Sequence, residues 1–160
     1  MEPRKVLTIT TLVALVLFVY YATNAAPLIS DSNYTYLSGM RWYKTYDEGA
    51  EVAKEEGKPL FLYFWTIWCV WCEKLQTEVY PREEIAGILK EDFVLVAVDM
   101  DVNKEDARRF NVQYPPNEKF LTPEGKIIDE LAGYAPPEEF YLILRRARDS
   151  YYRGEYNKSR

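Results

Sequence analysis

Two cysteines follow closely on a run of six apolar and aromatic residues, and this junction constrains the fold more than any other feature of the chain. The run, residues 60–65, reads Leu-Phe-Leu-Tyr-Phe-Trp and is preceded by Pro59. A continuous apolar run of this length, bounded by turn-forming residues, predicts a strand that is buried on both faces. Cys69 and Cys72 would then lie beyond the carboxyl end of that strand.

The rest of the pattern predicts elements in the order β-α-β-α-β-α-β-β-α. Strands separated by helices imply a parallel core connected by crossovers, and the final strand pair implies an antiparallel edge. We therefore predict an α/β domain over residues 41–154, with a central mixed sheet flanked by helices, and a short tail at 155–160. The predicted strands are 41–43, 60–65, 93–98, 118–121 and 126–131; the predicted helices are 46–56, 73–79, 83–90, 104–110 and 136 to about 154.

The N-terminus predicts export from the cytoplasm. Arg4 and Lys5 precede residues 6–22, which contain no charged residue. Positive charge before an apolar run keeps the N-terminus in the cytoplasm and directs the following chain across the membrane. A hydrophobic helix over residues 1–26 is therefore expected before the domain, and residues 27–40, which are polar and turn-rich, are expected to be a linker.

Whether this N-terminal segment is cleaved stays open in the sequence. Tyr20 and Tyr21 are suited to the far membrane interface, which favours a retained anchor. The small residues at 23–26 would suit a signal peptidase, which favours removal. The domain is extracytoplasmic in both cases, either anchored to the membrane with its N-terminus in the cytoplasm or secreted.

Composition excludes several classes of function. The chain has no histidine, so a Ser-His-Asp triad or a Cys-His dyad cannot form. Its charge is −5 with acidic and basic residues interleaved, so there is no basic stripe for nucleic acid. A structural zinc needs about four nitrogen or sulfur ligands, and this chain offers two thiols. No metal site is expected, although a Cu(I) pair or a zinc shared between two chains stays open as a metallochaperone alternative.

The Cys69-Val70-Trp71-Cys72 spacing suits disulfide exchange. A thiolate is the reactive form of cysteine, and Cys69 is predicted at or just before a helix N-terminus, where an anion is favoured. Cys72 lies one helical turn after Cys69, so the two sulfurs can form a reducible short-loop disulfide. Cys69 is the predicted nucleophile and Cys72 the predicted resolving thiol, and no cofactor beyond this redox-active pair is expected.

The chain resembles the thioredoxin superfamily over about residues 42–148. The resemblance is strongest to the C-terminal thioredoxin-like domain of the thiol:disulfide interchange protein DsbD and to small exported relatives. It implies a thioredoxin-like fold and protein-disulfide oxidoreductase activity, with protein thiols or disulfides as partners and a membrane-bound or soluble dithiol as electron donor. It rests on the active-site segment 64–74, the helix and strand at 78–99, residues 110–112, Pro116, the segment 120–126, and Gly133-Tyr134.

By that resemblance, Pro116 is the cis-proline of a loop that packs beside the cysteines, and the residue before it pairs with substrate backbone. Here that residue is Pro115, which has no N–H, so one donor of the pairing is missing. Trp68, Val70 and Trp71 are expected to complete the substrate-binding surface. The motif also lacks the histidine that strong oxidants of the superfamily carry between their cysteines, which favours a reductase or exchange role.

A second departure concerns the proton on Cys72. Thioredoxins carry a buried Asp six residues before the first cysteine, with a Lys partner on the neighbouring strand. Tyr63 stands at the Asp position, and the predicted strand 93–98 contains no Lys. Glu73, Glu78 or water are the open alternatives for the proton relay. A binding module that uses the same face without redox chemistry is the remaining alternative function.

Overall fold

The computed structural model describes residues 13–17, 20 and 33–157. The chain divides into two units, Met1–Ser30 and Asp31–Arg160. In the first unit, residues 13–17 and 20 are helical. Among the described residues, no helix combines the length and the apolar character that a membrane span needs. Most of the predicted signal or anchor at 1–26 and the first part of the predicted linker lie outside the described residues, so both stay predictions.

The second unit is a six-stranded mixed sheet with helices packed on it. The strand order is β1-β2-β4-β3-β5-β6, in which β3 pairs parallel with β4 and antiparallel with β5. The sheet flanked by helices confirms the predicted fold class of the domain. The strands are β1 Tyr34–Leu37, β2 Met40–Tyr43, β3 Leu60–Trp65, β4 Val94–Asp99, β5 Asn117–Leu121 and β6 Ile127–Ala132. The helices are α1 Tyr46–Glu56, α2 Val70–Lys74 with a π-helical turn Leu75–Val79, α3 Glu83–Asp92, α4 Lys104–Arg109 and α5 Pro137–Tyr152, followed by a 3₁₀ turn Glu155–Asn157.

Strand β1 corrects the predicted linker over residues 27–40. Tyr34–Leu37 pairs antiparallel with β2 through a two-residue turn at Ser38 and Gly39. Both turn residues have positive φ, 54° and 69°, which is the geometry that joins twisted antiparallel strands most closely. The strand is only four residues long and follows a polar, turn-rich stretch. The sequence pattern therefore indicates a linker here rather than a strand.

Strand β3 has the two buried faces that its sequence predicts. Phe61 and Tyr63 belong to one hydrophobic cluster, and Leu60, Leu62 and Phe64 belong to the other. Alternate side chains of a strand point to opposite faces, so this one strand separates the two clusters. Cys72 lies in the cluster that contains Tyr63. The face below the cysteine pair is therefore the aromatic one.

Candidate functional site

The cysteine pair lies at the junction between β3 and α2. Cys69 is the N-cap of α2, and its Sγ accepts the N–H of Cys72 at 3.1 Å. The two residues are joined by a disulfide, with their Cα atoms 5.2 Å apart. The predicted placement of Cys69 at the start of a helix is confirmed, and the helix begins at Val70 rather than at residue 73.

The two sulfurs differ in access. Cys69 is 7% exposed, whereas Cys72 is completely buried. An external thiol or disulfide can therefore reach the pair only at Cys69. The two residues thus have the asymmetry that a nucleophile and a resolving thiol require.

Exposed apolar side chains lie next to the two cysteines in the sequence, and we call this group the apolar rim. Trp68 is 65% exposed and Trp71 53%. Trp68 is held by a hydrogen bond from its Nε1 to Asp101 Oδ2 at 2.8 Å. Large apolar side chains are rarely left open in groups on a protein surface unless they bind something. The rim comprises the exposed residues Ile67, Trp68, Val70 and Trp71.

The proline loop meets the same surface through two contacts. The Trp71 ring packs on Tyr134 with centroids 5.1 Å apart, and the neighbouring Gly133 donates its N–H to Pro116 O at 2.9 Å. Gly133 has φ of +97°, which a residue with a side chain adopts at a cost. The Pro115–Pro116 peptide bond is cis. Pro116 is buried and Pro115 half-buried, at the wall of a groove of about 420 Å³.

Below the disulfide, Tyr63 occupies the position at which thioredoxins carry an Asp. Its hydroxyl donates to Cys72 O at 3.4 Å and accepts from Gln76 Nε2 at 3.2 Å. Burial raises the pKa of Tyr63, so the hydroxyl stays neutral. A neutral hydroxyl needs no cationic partner, which accords with a β4 that contains no lysine.

Sequence reasoning missed a buried carboxyl on this face. Glu118 is completely buried in β5, directly across from Tyr63 in the neighbouring strand. Tyr80 donates its hydroxyl to Glu118 Oε1 at 3.0 Å, while Oε2 has no hydrogen-bond partner among the described residues. Desolvation by burial raises the pKa of Glu118 well above its ordinary value. The sequence signal that could have revealed this carboxyl was the presence of two charged residues, Glu118 and Lys119, in a strand that pairs on both sides. Lys119 forms an ion pair with Glu130, with Nζ 2.6 Å from Oε2.

Glu73 and Glu78, which the sequence leaves open as proton relays for Cys72, are both exposed. Glu78 lies 3.9 Å from Lys74 on the outer face of the helix. Glu73 lines a small cavity of about 150 Å³ together with Cys69 and Gln76. Neither is buried as Cys72 is.

No group of three or more His, Cys, Asp or Glu side chains is placed to hold a metal ion in the part of the chain that the structure describes.

The domain matches a known family. Residues 46–148 fit the model of the Thioredoxin-like domain family, and the chain belongs to this family. A curated relative is human spermatogenesis-associated protein 20, which is 32% identical over 127 residues, 69% of this chain. The chain spans only 16% of the length of that relative.

Solved structures agree on the fold. A thioredoxin from Thermus thermophilus superimposes with a TM-score of 0.62 at 29% identity, over 68% of this chain and 87% of that one. The oxidised C-terminal domain of DsbD from Neisseria meningitidis gives 0.55 at 19% identity, over 63% and 90%. The superfamily resemblance is confirmed, but DsbD is one of several similar structures and the special closeness predicted for it is not established.

Proposed function

We propose that this chain is an extracytoplasmic thiol–disulfide oxidoreductase that reduces or exchanges disulfides in exported proteins through Cys69 and Cys72. The observation that carries the proposal is the disulfide at the β3–α2 junction, with one reachable and one buried sulfur. Membership of the Thioredoxin-like domain family supports it.

The chemistry begins with the reduced pair. The thiolate of Cys69 attacks one sulfur of a substrate disulfide, a bond forms between the two sulfurs, and the substrate's other sulfur leaves as a thiolate. The N–H of Cys72 points at Cys69 Sγ and stabilises negative charge there. The product of this step is a mixed disulfide between Cys69 and the substrate.

Cys72 then completes the exchange. It loses its proton and attacks Cys69 Sγ, so the Cys69–Cys72 bond forms and the bond from Cys69 to the substrate breaks. The substrate gains two electrons and leaves as a dithiol after taking up protons, and the protein is left oxidised. A dithiol donor, membrane-bound or soluble, must reduce the pair before the next turnover.

The substrate-binding surface in this proposal consists of the apolar rim and the proline loop. Trp68, Val70 and Trp71 would contact substrate side chains next to the reacting sulfur. Pro115 and Pro116 would lie along its backbone, at the wall of the adjoining groove. Because Pro115 has no N–H, side-chain contacts with the rim would carry more of the binding than backbone pairing does.

The proposed location rests on the N-terminal sequence, in which Arg4 and Lys5 precede the uncharged residues 6–22. Labelling of intact cells with a membrane-impermeant thiol reagent tests it after mild reduction. Cys69, the accessible cysteine, should be labelled without lysis. Labelling only after lysis would place the domain inside the cell. N-terminal sequencing of the mature protein distinguishes a retained anchor from a cleaved signal peptide.

A non-enzymatic binding module is the second candidate, because the exposed rim would also hold a partner without redox chemistry. Turnover separates the two. The full chain should accelerate the reduction of insulin disulfides by a dithiol, and Cys69→Ser should reduce the rate to the uncatalysed level. A wild-type rate equal to that of Cys69→Ser would reject the enzyme and favour the binding module. Cys69→Ser should retain the wild-type circular dichroism spectrum, which excludes misfolding.

A further inference from the structure

A carboxyl group with one unpartnered oxygen is unusual in a protein core. Charged side chains are almost never completely buried unless they are paired. Glu118 is completely buried and receives a single hydrogen bond, from Tyr80, at Oε1. Its Oε2 is buried without a partner among the described residues. An apolar side chain would pack better at this position, so packing alone does not explain why a carboxyl is present.

The location of Glu118 connects it to the resolving thiol. Directly opposite residues of antiparallel strands project to the same face, so the side chains of Glu118 and Tyr63 are neighbours. Tyr63 in turn places its hydroxyl on Cys72 O. Tyr80, which holds the carboxyl, packs edge-on against Tyr63 with ring centroids 5.3 Å apart. Tyr63 is thus a neighbour of both Glu118 and the Cys72 backbone, and all three residues are completely buried.

Within residues 33–157, no cation is placed beside Glu118 to hold its charge. Tyr80, from the segment after the π-helical turn, and Tyr63, from β3, both have a pKa raised by burial and stay neutral. On β6 the register partner is Leu131, and the adjacent Lys119 is paired with Glu130. Phe140 from α5 packs on Tyr80 and cannot ionise. The groups left to titrate together with the carboxyl are therefore the thiols that appear when the disulfide is reduced.

We propose that Glu118 is a positioning residue for the resolving step, and that its carboxyl acts through Tyr63 to set the protonation of the Cys72 thiol. In its neutral form the carboxyl leaves Cys72 free to lose a proton and attack the mixed disulfide. In its ionised form it opposes a second negative charge in the same low-dielectric core. The proposal rests on the proposed function for its role in exchange, but the coupling itself is measurable without turnover.

The test uses the full chain carrying Cys69→Ser, which leaves Cys72 as its only thiol. The ultraviolet absorbance of the thiolate is followed against pH with and without Glu118→Gln. Two coupled groups titrate in separated steps, so Glu118→Gln should lower the upper apparent pKa of the thiol by about one pH unit and leave a single step. The matched controls are Glu78→Gln and Glu83→Gln, which alter exposed carboxyls in the chain that follows the cysteine pair and should leave the curve unchanged.

Superimposable titration curves for folded protein with and without Glu118→Gln would overturn the proposal, as would an equal shift in the Glu78→Gln control. If Glu118→Gln does not fold, ¹³C NMR of the glutamate carboxyls in the unsubstituted chain decides. The most upshifted titration should move when the disulfide is reduced, and an unmoved titration would reject the coupling. A shifted titration in a protein without turnover would reject the proposed function and leave the coupling intact.

Discussion

The two sides of the Cys69–Cys72 disulfide are built from aromatic residues in opposite ways. On the outer side, Trp68 and Trp71 are more than half exposed. On the inner side, Tyr63 and Tyr80 are completely buried and direct their hydroxyls to Cys72 O and to Glu118. The outer rings offer area for contact, while the inner rings, which are completely buried, place their hydroxyl groups inside the core.

The exposed outer side and the buried inner side are therefore suited to different roles. Contact with a partner depends on exposed surface, so in the proposed function the rim would govern which disulfide reaches Cys69. Ionisation depends on dielectric and neighbouring charge, so by the same proposal the inner side would set when Cys72 becomes a nucleophile. Changes on the outer side should alter binding and leave titrations alone, and changes on the inner side should do the reverse.

The largest effect is expected from removing the rim. The double substitution Trp68→Ala and Trp71→Ala should lower kcat/KM for insulin by about 30-fold to about 900-fold, because truncating a central aromatic residue of an interface costs about 2 kcal/mol and about 1.4 kcal/mol corresponds to a factor of ten. The rate with a small dialkyl disulfide should change much less, because such a substrate does not span the rim. Steady-state kinetics with both substrates measures this, and Tyr36→Ala, which removes an aromatic side chain that is 66% exposed on β1, is the control.

Equal losses for the two substrates would show that the tryptophans support the disulfide rather than bind the partner. An equal loss of kcat/KM in Tyr36→Ala would show that the effect does not depend on the location of the aromatic residue in the rim.

The inner side should make stability depend on pH. Burial raises the folded-state pKa of Glu118 above its ordinary value of 4.5. Above that value the unfolded chain releases the proton while the folded chain retains it, so the free energy of unfolding falls as pH rises, until the pH passes the folded-state pKa. One such group contributes a slope of up to about 1.4 kcal/mol per pH unit. Glu118→Gln should remove this slope.

Urea unfolding of the oxidised protein at about pH 5, 6 and 7 measures the slope. Glu83→Gln alters an exposed carboxyl in the first turn of α3 and should retain the wild-type dependence. A wild-type dependence in Glu118→Gln would mean that Glu118 titrates normally and that the inner side carries no buried acid.

The smallest effect is expected at the edge between the two sides, at Pro115. Pro115→Thr supplies an N–H for backbone pairing with substrate, and a net hydrogen bond of about 0.5–1 kcal/mol would raise kcat/KM for a peptide disulfide about twofold to fivefold. Pro115→Ala supplies the same N–H without a hydroxyl and should give the same gain. A gain in Pro115→Thr alone would assign the effect to the side chain, and no gain in either would show that substrate backbone does not pair here.

Much of the fold was predictable because local patterns of apolar and polar residues indicate its strands and helices. The six-residue run at β3 indicates a strand buried on both faces, and the helix-compatible segment after it predicts Cys69 at a strand-to-helix junction. The hairpin partner β1 was not predictable from its surroundings, because Tyr34–Leu37 is short and borders polar turn residues. The inner side of the site was missed for another reason: Tyr63 and Glu118 are 55 residues apart in sequence and meet only through the β3–β5 register.

Trapping of the mixed disulfide tests the central claim most directly, since it asks whether the outer sulfur receives the substrate and the inner sulfur releases it. The full chain carrying Cys72→Ala is reduced and incubated with an oxidised peptide that contains one disulfide, and the products are separated without reductant. The account predicts a stable adduct of protein and peptide, bonded through Cys69 and released by a dithiol. Absence of the adduct, or an equal adduct with Cys69→Ala, would contradict it.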